Sequence, residues 1–280
     1  MNETEPRDPD APHAPPPFVD ALDRSRFPVD RWRLSERVYD ADDLGRTETI
    51  FSVGNGYLGM RGNVEEGRDS HTHGTFINGF HETWPITHAE EAFGFARVGQ
   101  TVVNVPDAKL IRLYVDDEPL LLSVADLIEY ERTLDFRAGV LTRDIVWRTP
   151  AGKRVHIRSR RMASMSQRHL AVMTFEITML DAEAPVAVSS QILNRQDGED
   201  EYHVRAAAMG EGADPRKGER FNHRVLVPQS QWGDAEQGRV VLGYKCANSG
   251  MTLACAADHT IETDNQYTQR LQVEEDMAKV

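Results

Sequence analysis

Residues Thr47–Gly62 read TETIFSVGNGYLGMRG, and this stretch decides how the chain begins to fold. Its last nine positions hold four glycines: Gly54, Gly56, Gly59 and Gly62. Glycine loses more backbone freedom on folding than other residues, so this density indicates turns with positive φ or a close approach of another backbone. The Asn-Gly dipeptide at 55–56 is a strong turn signal. We therefore expect a tightly folded segment with another part of the protein packed against it.

Alternation of apolar and polar residues dominates the sequence after this motif. Met173, Phe175, Ile177 and Met179 alternate with polar residues, which predicts a strand with one buried face. Apolar residues at 170 and 172 predict that part of this strand is covered on its second face too.

Turn signals between such runs predict β-hairpins. The first predicted hairpin has strands at 111–115 and 120–122, joined by a turn of Asp-Asp-Glu-Pro at 116–119. The second has strands at 140–148 and 153–162, joined by a turn of Thr-Pro-Ala-Gly at 149–152. Helical signals are few and short. Further strands are predicted at 186–193, 239–247 and 251–257. The pattern predicts an all-β fold, a large antiparallel β-sandwich with few short helices.

Two boundaries follow from composition. Residues 1–17 hold six of the fourteen prolines, which predicts a disordered Pro-rich tail before a sandwich domain at 18–280. Runs at 267–273 and 276–280 resemble the approach to further strands, and a sandwich that ends there leaves an open edge. We therefore expect a truncated domain, a fragment of a longer polypeptide.

Charge and hydropathy restrict the partners. The net charge of −13 argues against nucleic acid as a partner, and a solvated strand is the preferred interpretation of the basic run Arg158–Arg161.

No apolar run is long enough to span a membrane, and no signal peptide precedes the domain. Two cysteines in 280 residues favour the cytoplasm. A turn at 248–250 that pairs Ala247 with Met251 places Cys246 opposite Thr252, so we expect two free thiols.

Three groups of residues are candidates for a catalytic or binding site. His71 and His73 share a face only on a strand, and the next carboxylate is Glu82, so loop histidines are favoured over a metal site. The adjacent pair Glu65-Glu66 points to opposite faces of an extended chain, which favours surface charge or an ion pair with Arg61 or Arg68. The glycines also match G-x-G-x-x-G, but no helix-forming run follows, so a dinucleotide site is not expected.

Aromatic and polar residues cluster at 78–95. Trp84, Phe93 and Phe95 lie near Asn78 and His81, a mixture that suits a sugar ring. The alternative is that the aromatic residues cover a sheet edge or dock onto a neighbouring domain.

Together these residues resemble glycoside hydrolase family 65, which includes maltose, trehalose and kojibiose phosphorylases and related hydrolases. The resemblance rests on 48–62 (ETIFSVGNGYLGMRG), Glu65-Glu66, 74–79 (GTFING), 103–106 (VNVP), 113–116 (LYVD) and 141–143 (LTR). It extends over roughly residues 30 to 280.

The resemblance implies an N-terminal super-β-sandwich of the galactose mutarotase-like type, followed by a catalytic (α/α)6 barrel that nothing here matches. No catalytic residue, metal or cofactor is therefore carried over; inorganic phosphate would be the co-substrate of a parent phosphorylase. The implied partners are the barrel, an α-glucosidic disaccharide and a second copy in a homodimer. Candidates for the substrate rim or the domain interface are Asn55, Arg61, Asn78, His81, Trp84 and Phe95.

Two alternatives remain open. One is an independent carbohydrate-binding or assembly module on the same sandwich. The other is a sugar mutarotase-like enzyme, for which His73 or His81 with Glu82 are the only candidates.

Overall fold

The computed structural model describes residues 20, 22–68, 70–86, 88–90, 92–195 and 224–280. The predicted tail at 1–17 lies outside these residues. A turn of 3-10 helix, Ala41–Asp43, leads into the helix α1, Leu44–Ile50. The strands, in chain order, are β1 (Arg33–Glu36), β2 (Val53–Gly54), β3 (Leu58–Met60), β4 (Thr75–Pro85), β5 (Val98–Asn104), β6 (Asp107–Val115), β7 (Glu118–Pro119), β8 (Asp126–Asp135), β9 (Val140–Arg148), β10 (Arg154–Ala163), β11 (Ala171–Met179), β12 (Val186–Leu193), β13 (Leu226–Asp234), β14 (Arg239–Cys246), β15 (Thr252–Ala257), β16 (Gln272–Val273) and β17 (Met277–Lys279).

The strands form four antiparallel sheets, which confirms the predicted all-β class. Sheet 1 has the order β1-β8-β9-β10-β11, and sheet 2 has the order β16-β17-β12-β6-β7. Sheet 3 is β13-β14-β15, and sheet 4 is β2-β3-β4-β5. In the part of the chain that is described, no helix is long and apolar enough to cross a membrane.

Three apolar clusters join the sheets. Ile145 and Ile157 of sheet 1 pack with Leu113 of sheet 2, as two sheets do face to face. A second cluster joins sheets 2, 3 and 4 around Leu242 and Tyr244. The third packs α1 and the β2–β3 hairpin against sheet 1. Its buried members are Phe27, Phe51, Val53, Leu58, Met60, Leu134, Leu141 and Ala163.

The hairpin predicted over 140–162 is confirmed, whereas the one after β6 turns earlier than predicted: its second strand is Glu118–Pro119, and residues 120–122 form no strand. β6 pairs with β7 through Tyr114 and Pro119, and β9 pairs with β10 across the turn at 149–152. β11 has the predicted alternation, with residues 173, 175, 177 and 179 on the inner face. The second face of β11 was predicted wrongly: Leu170 and Val172 are exposed, because no described element covers the outer face of this strand.

The cysteines are free, as predicted, although the hairpin register differs by one residue. Lys245 pairs with Thr252, and Leu242 pairs with Cys255, so Cys246 does not face Thr252. The turn is one residue longer than expected, since Cys246 N donates to Met251 O at 2.8 Å and residues 247–250 form the loop. Burial raises the pKa of the Cys255 thiol to about 12, which keeps this thiol protonated at neutral pH.

Candidate functional site

The glycine-rich motif Thr47–Gly62 forms the end of α1 and the β2–β3 hairpin. Its last glycine lies against α1: a Cβ on Gly62 would sit 2.7–2.8 Å from the Cβ, carbonyl carbon and oxygen of Phe51. Gly62 N also donates to Glu48 O at 2.7 Å. Gly56 has a φ of +84°, as the turn requires. The expected close approach is therefore made by the chain's own helix.

The side chain of Asn55 is fully occupied within the domain. Its Oδ1 accepts from Tyr57 N at 3.0 Å and from Leu58 N at 2.8 Å. Its Nδ2 donates to Ser164 O at 2.7 Å and to Arg168 O at 3.1 Å. These bonds fix the hairpin turn to the loop between β10 and β11.

Arg61 lies beside the buried carboxylate of Glu48. The Arg61 guanidinium is 3.5 Å from Glu48 Oε2 and partly exposed. Glu48 also accepts from Ser70 Oγ at 2.9 Å, from His71 N at 2.8 Å and from Thr72 N at 3.0 Å. Glu48 thus ties α1 to the loop that carries the H-x-H pair, and Arg61 completes this contact.

Three arginines of sheet 1 hold the chain after the motif, and we call them the arginine frame: Arg132 of β8, Arg143 of β9 and Arg161 of β10. Arg132 and Arg143 are directly opposite each other across the strand pair. All three are almost completely buried. Like charges opposite one another are destabilising, so this arrangement requires anions between the sheets.

Glu65 and Glu66 supply two of these anions. Arg143 binds both oxygens of Glu66 at 2.7 Å and lies 3.0 Å from Glu65 Oε2. Arg161 donates to Glu65 Oε1 at 2.8 Å. The sequence-based interpretation of these glutamates was wrong in both respects: they are buried, and their partners are neither Arg61 nor Arg68. Residues 61–68 form no strand, so neighbouring carboxylates converge instead of facing apart.

The frame also binds main-chain oxygens and a third glutamate. Arg161 donates to Arg61 O at 3.1 Å and to Asn63 O at 2.8 Å. Arg132 donates to Gly62 O at 3.0 Å and pairs with Glu36 of β1 at 2.6 Å. Each arginine of the frame therefore contacts a glutamate, and Glu36 pairs with Arg26 as well. Arg161 corrects the expectation of a solvated basic run, since this residue faces the interior.

Electrostatics keeps Glu65 ionised. Burial alone would raise the pKa of Glu65, but the guanidinium groups of Arg143 and Arg161 outweigh burial and lower this pKa to about 2. Glu65 is therefore a carboxylate at neutral pH and holds no proton to donate. The geometry describes a structural ion network rather than a general acid.

A second buried ionic group surrounds Asp107 of β6. Lys109 Nζ is 2.7 Å from Asp107 Oδ1 and donates to Thr75 Oγ1 at 2.9 Å. His73 Nδ1 is 3.0 Å from Asp107 Oδ2. Burial would raise the pKa of Asp107, yet Lys109 and His73 hold it well below its usual range. His73 thus lies in a loop, as predicted, and it faces Asp107.

Four candidates lie on β4 or at the loop that follows it. We define the β4–β5 arm as these two strands with the described residues between them. Asn78 is exposed and donates to Gly56 O at 3.1 Å, and His81 Nδ1 lies 2.9 Å from Gly79 O. The ring of Trp84 covers Gly99, where an added Cβ would lie 2.3 Å from the indole. Phe95 is half exposed and packs on His88, with ring centroids 4.8 Å apart.

His81 and Glu82 do not converge. The buried carboxylate of Glu82 accepts from Asn248 N at 3.0 Å and from Ser249 N at 2.7 Å, so it caps the β14–β15 turn. His81 pairs in register with Val102 on the other face of the arm. Within the described ranges, no three His, Cys, Asp or Glu side chains are grouped as metal ligands would be.

Comparison with known proteins gives the family. The family model described as "Glycosyl hydrolase family 65, N-terminal domain" matches residues 34–280. The chain belongs to this family. An α,α-trehalose phosphorylase of Thermoanaerobacter brockii is 33% identical over 258 residues, which is 91% of this chain and 32% of that protein. A kojibiose phosphorylase of Caldanaerobacter subterraneus is 32% identical over 162 residues, 58% of this chain and 20% of that protein.

The fold agrees with this assignment. A solved structure from the human microbiome, provisionally named a kojibiose phosphorylase, superimposes with a TM-score of 0.70 at 19% identity. The match covers 91% of this chain and 30% of the other. The family 65 chain described here therefore spans about a third of the length of such relatives or less.

Sequence reasoning missed the arginine frame. Arg132, Arg143 and Arg161 stand in strands whose alternation places them on the inner face, in step with Leu134, Leu141 and Ala163. A positive charge at an inward position signals a buried anion, and Glu65-Glu66 was the available pair. The sequence contains this signal, but it can be recognised only after each residue of these strands has been assigned to the inner or the outer face.

Proposed function

We propose that this chain is the non-catalytic N-terminal domain of a family 65 phosphorylase or hydrolase that acts on an α-glucosidic disaccharide such as trehalose, maltose or kojibiose. The observation that carries the proposal is the family match over 34–280, in a chain that covers only 32% of a trehalose phosphorylase. The catalytic groups then belong to the part of the protein beyond this domain, which the family resemblance implies is an (α/α)6 barrel.

The buried ion network supports a structural role. The carboxylates that a glycosidase or phosphorylase would need as acids are here charge-matched and enclosed. Glu65, Glu66 and Glu36 each contact an arginine of the frame, and all three are less than 5% exposed. A disaccharide cannot reach groups that are covered in this way.

The β4–β5 arm supplies the surface that docks onto the barrel. Val98 and Val102 lie on one face of the arm, opposite Pro85 and His81, and both valines are more than half exposed. Phe93 at the tip is fully exposed, and Phe95 is half exposed. Apolar side chains gathered on one projecting element mark a contact surface, since leaving them in water is unfavourable.

A fusion tests this proposal. The chain is joined to the part of the Thermoanaerobacter brockii trehalose phosphorylase that lies beyond the matched region, and phosphate-dependent cleavage of trehalose is measured. We expect the double variant Phe93→Ser/Phe95→Ser to lower activity or thermal stability of the fusion and to leave the isolated chain unchanged. Val124→Ser, which removes an exposed valine elsewhere, is the control. Equal activity and stability of the arm variant and the control fusion would contradict docking through the arm.

A further inference from the structure

A cavity of about 180 Å³ lies beside β6, lined by Glu66, Arg68, Arg112, Tyr114, Leu120 and Leu121. Two segments border the same edge of this strand. Ile111 N donates to Glu65 O at 2.8 Å, and Leu120 N donates to Leu113 O at 2.9 Å. The cavity occupies the gap between these two segments, so its walls are held by main-chain hydrogen bonds. The fold therefore fixes the position of these walls.

Two of the lining side chains carry positive charge that no described residue balances. The side chains of Arg68 and Arg112 make no hydrogen bond or ion pair within the described residues. The Nε of Arg112 is buried and has no hydrogen-bond partner among the described residues. An unpaired buried donor is costly, and native proteins usually satisfy it with protein, water or an ion.

The carboxylate of Glu66 does not cancel these charges. Both Glu66 oxygens are held at 2.7 Å by Arg143, and Glu65 is shared between Arg143 and Arg161. Two arginines thus neutralise two glutamates, so that among the described lining residues Arg68 and Arg112 remain as an excess of two positive charges. The excess is notable in a chain with a net charge of −13.

We propose that this cavity binds a small tetrahedral oxyanion of the orthophosphate class. Guanidinium groups present a planar fork of donors that matches phosphate oxygens, and two such groups on one cavity provide the charge and the geometry for a dianion. Leu120 and Leu121 lower the local dielectric, which strengthens the contact. This site belongs to the sandwich itself, so it stands whether or not the proposed function holds.

Calorimetric titration of the purified chain with orthophosphate, at constant ionic strength, tests the site. We expect saturable binding by the wild-type chain and binding weaker by about tenfold or more in Arg112→Gln, the loss of one charge-assisted contact. Arg148→Gln is the matched control, because Arg148 is an exposed arginine that pairs with exposed Asp126. This control should bind orthophosphate as the wild type does.

A second variant keeps the test valid if Arg112→Gln fails to fold. Arg68 is exposed, so Arg68→Gln leaves the core intact and should also weaken binding about tenfold. The absence of saturable binding, or equal affinity of both variants and the control, would overturn the proposal.

Discussion

Single residues determine how the interior of this domain holds its charges. The arginine frame places three positive charges on adjacent strands of sheet 1, and Glu36, Glu65 and Glu66 meet them from the other side. The same guanidinium groups bind the carbonyl oxygens of Arg61, Gly62 and Asn63. Because residues 61–68 form no strand, these arginines satisfy main-chain groups that a buried loop would otherwise leave unpaired.

Removal of one frame arginine should be strongly destabilising. Arg143→Gln leaves Glu66 and part of Glu65 buried without a countercharge, and we expect a loss of about 3–5 kcal/mol in the free energy of unfolding. Arg148→Gln, five positions along the same strand, should change it by less than about 1 kcal/mol because its ion pair is exposed. Urea denaturation of both variants measures the difference. Similar losses in the free energy of unfolding would contradict a stabilising role of the arginine frame.

Glu65 should make stability depend on pH in the acidic range. Its folded pKa is about 2 against an ordinary value of 4.5, so its contribution is complete above about pH 4.5 and declines as the pH falls toward 2. The contribution is on the order of 3 kcal/mol. Urea midpoints at pH 6 and pH 3 should therefore differ more for the wild type than for Glu65→Gln. Parallel declines would show that Glu65 is not the titrating group.

Two glycines of the opening motif provide a matched pair. A Cβ at position 62 would lie 2.7–2.8 Å from Phe51, including main-chain atoms, whereas a Cβ at Gly59 meets nothing within 4 Å. We expect Gly62→Ala to destabilise the domain by roughly 1–3 kcal/mol or more and Gly59→Ala to have little effect. Thermal unfolding of the two variants is the measurement, and a similar melting temperature for both would be evidence against the close approach.

At the scale of elements, the sequence predicted hairpins well and local irregularities poorly. The β9–β10 hairpin and the alternation in β11 follow from period-two patterns that one buried face enforces. The helix α1 was missed, since seven residues rich in threonine have little helical propensity. Tertiary contacts fix α1, chiefly the bonds to the buried Glu48 carboxylate, and no local pattern reports them.

The β2–β3 hairpin should depend on Asn55 more than on Asn78. Asn55→Ala removes four hydrogen bonds that join the turn to the loop after β10, and we expect a loss of roughly 1–3 kcal/mol in the free energy of unfolding. Asn78→Ala removes one exposed side-chain bond to Gly56 O, so its loss should be smaller than about 1 kcal/mol. Urea denaturation compares them; equal losses would contradict the turn-locking role of Asn55.

At the scale of the whole molecule, the class of fold could be predicted but the grouping of strands could not. Alternation and turns gave an antiparallel all-β chain, whereas four sheets and three clusters depend on contacts between distant segments, such as β6 with β12. For the candidate site, the sequence indicated some of the residues but not their contacts. Glu65 and Glu66 were singled out, but their partners lie 77 to 96 residues away along the chain.

We propose that this domain supports a catalytic partner and performs no glycoside chemistry itself. The most direct measurement is the release of glucose or a glucose phosphate by the purified 280-residue chain, with trehalose, maltose or kojibiose, in the presence and absence of phosphate. We expect no turnover above that of buffer while circular dichroism shows a folded β protein. Turnover that purifies with the folded chain and disappears in Glu65→Gln or Glu66→Gln would contradict it.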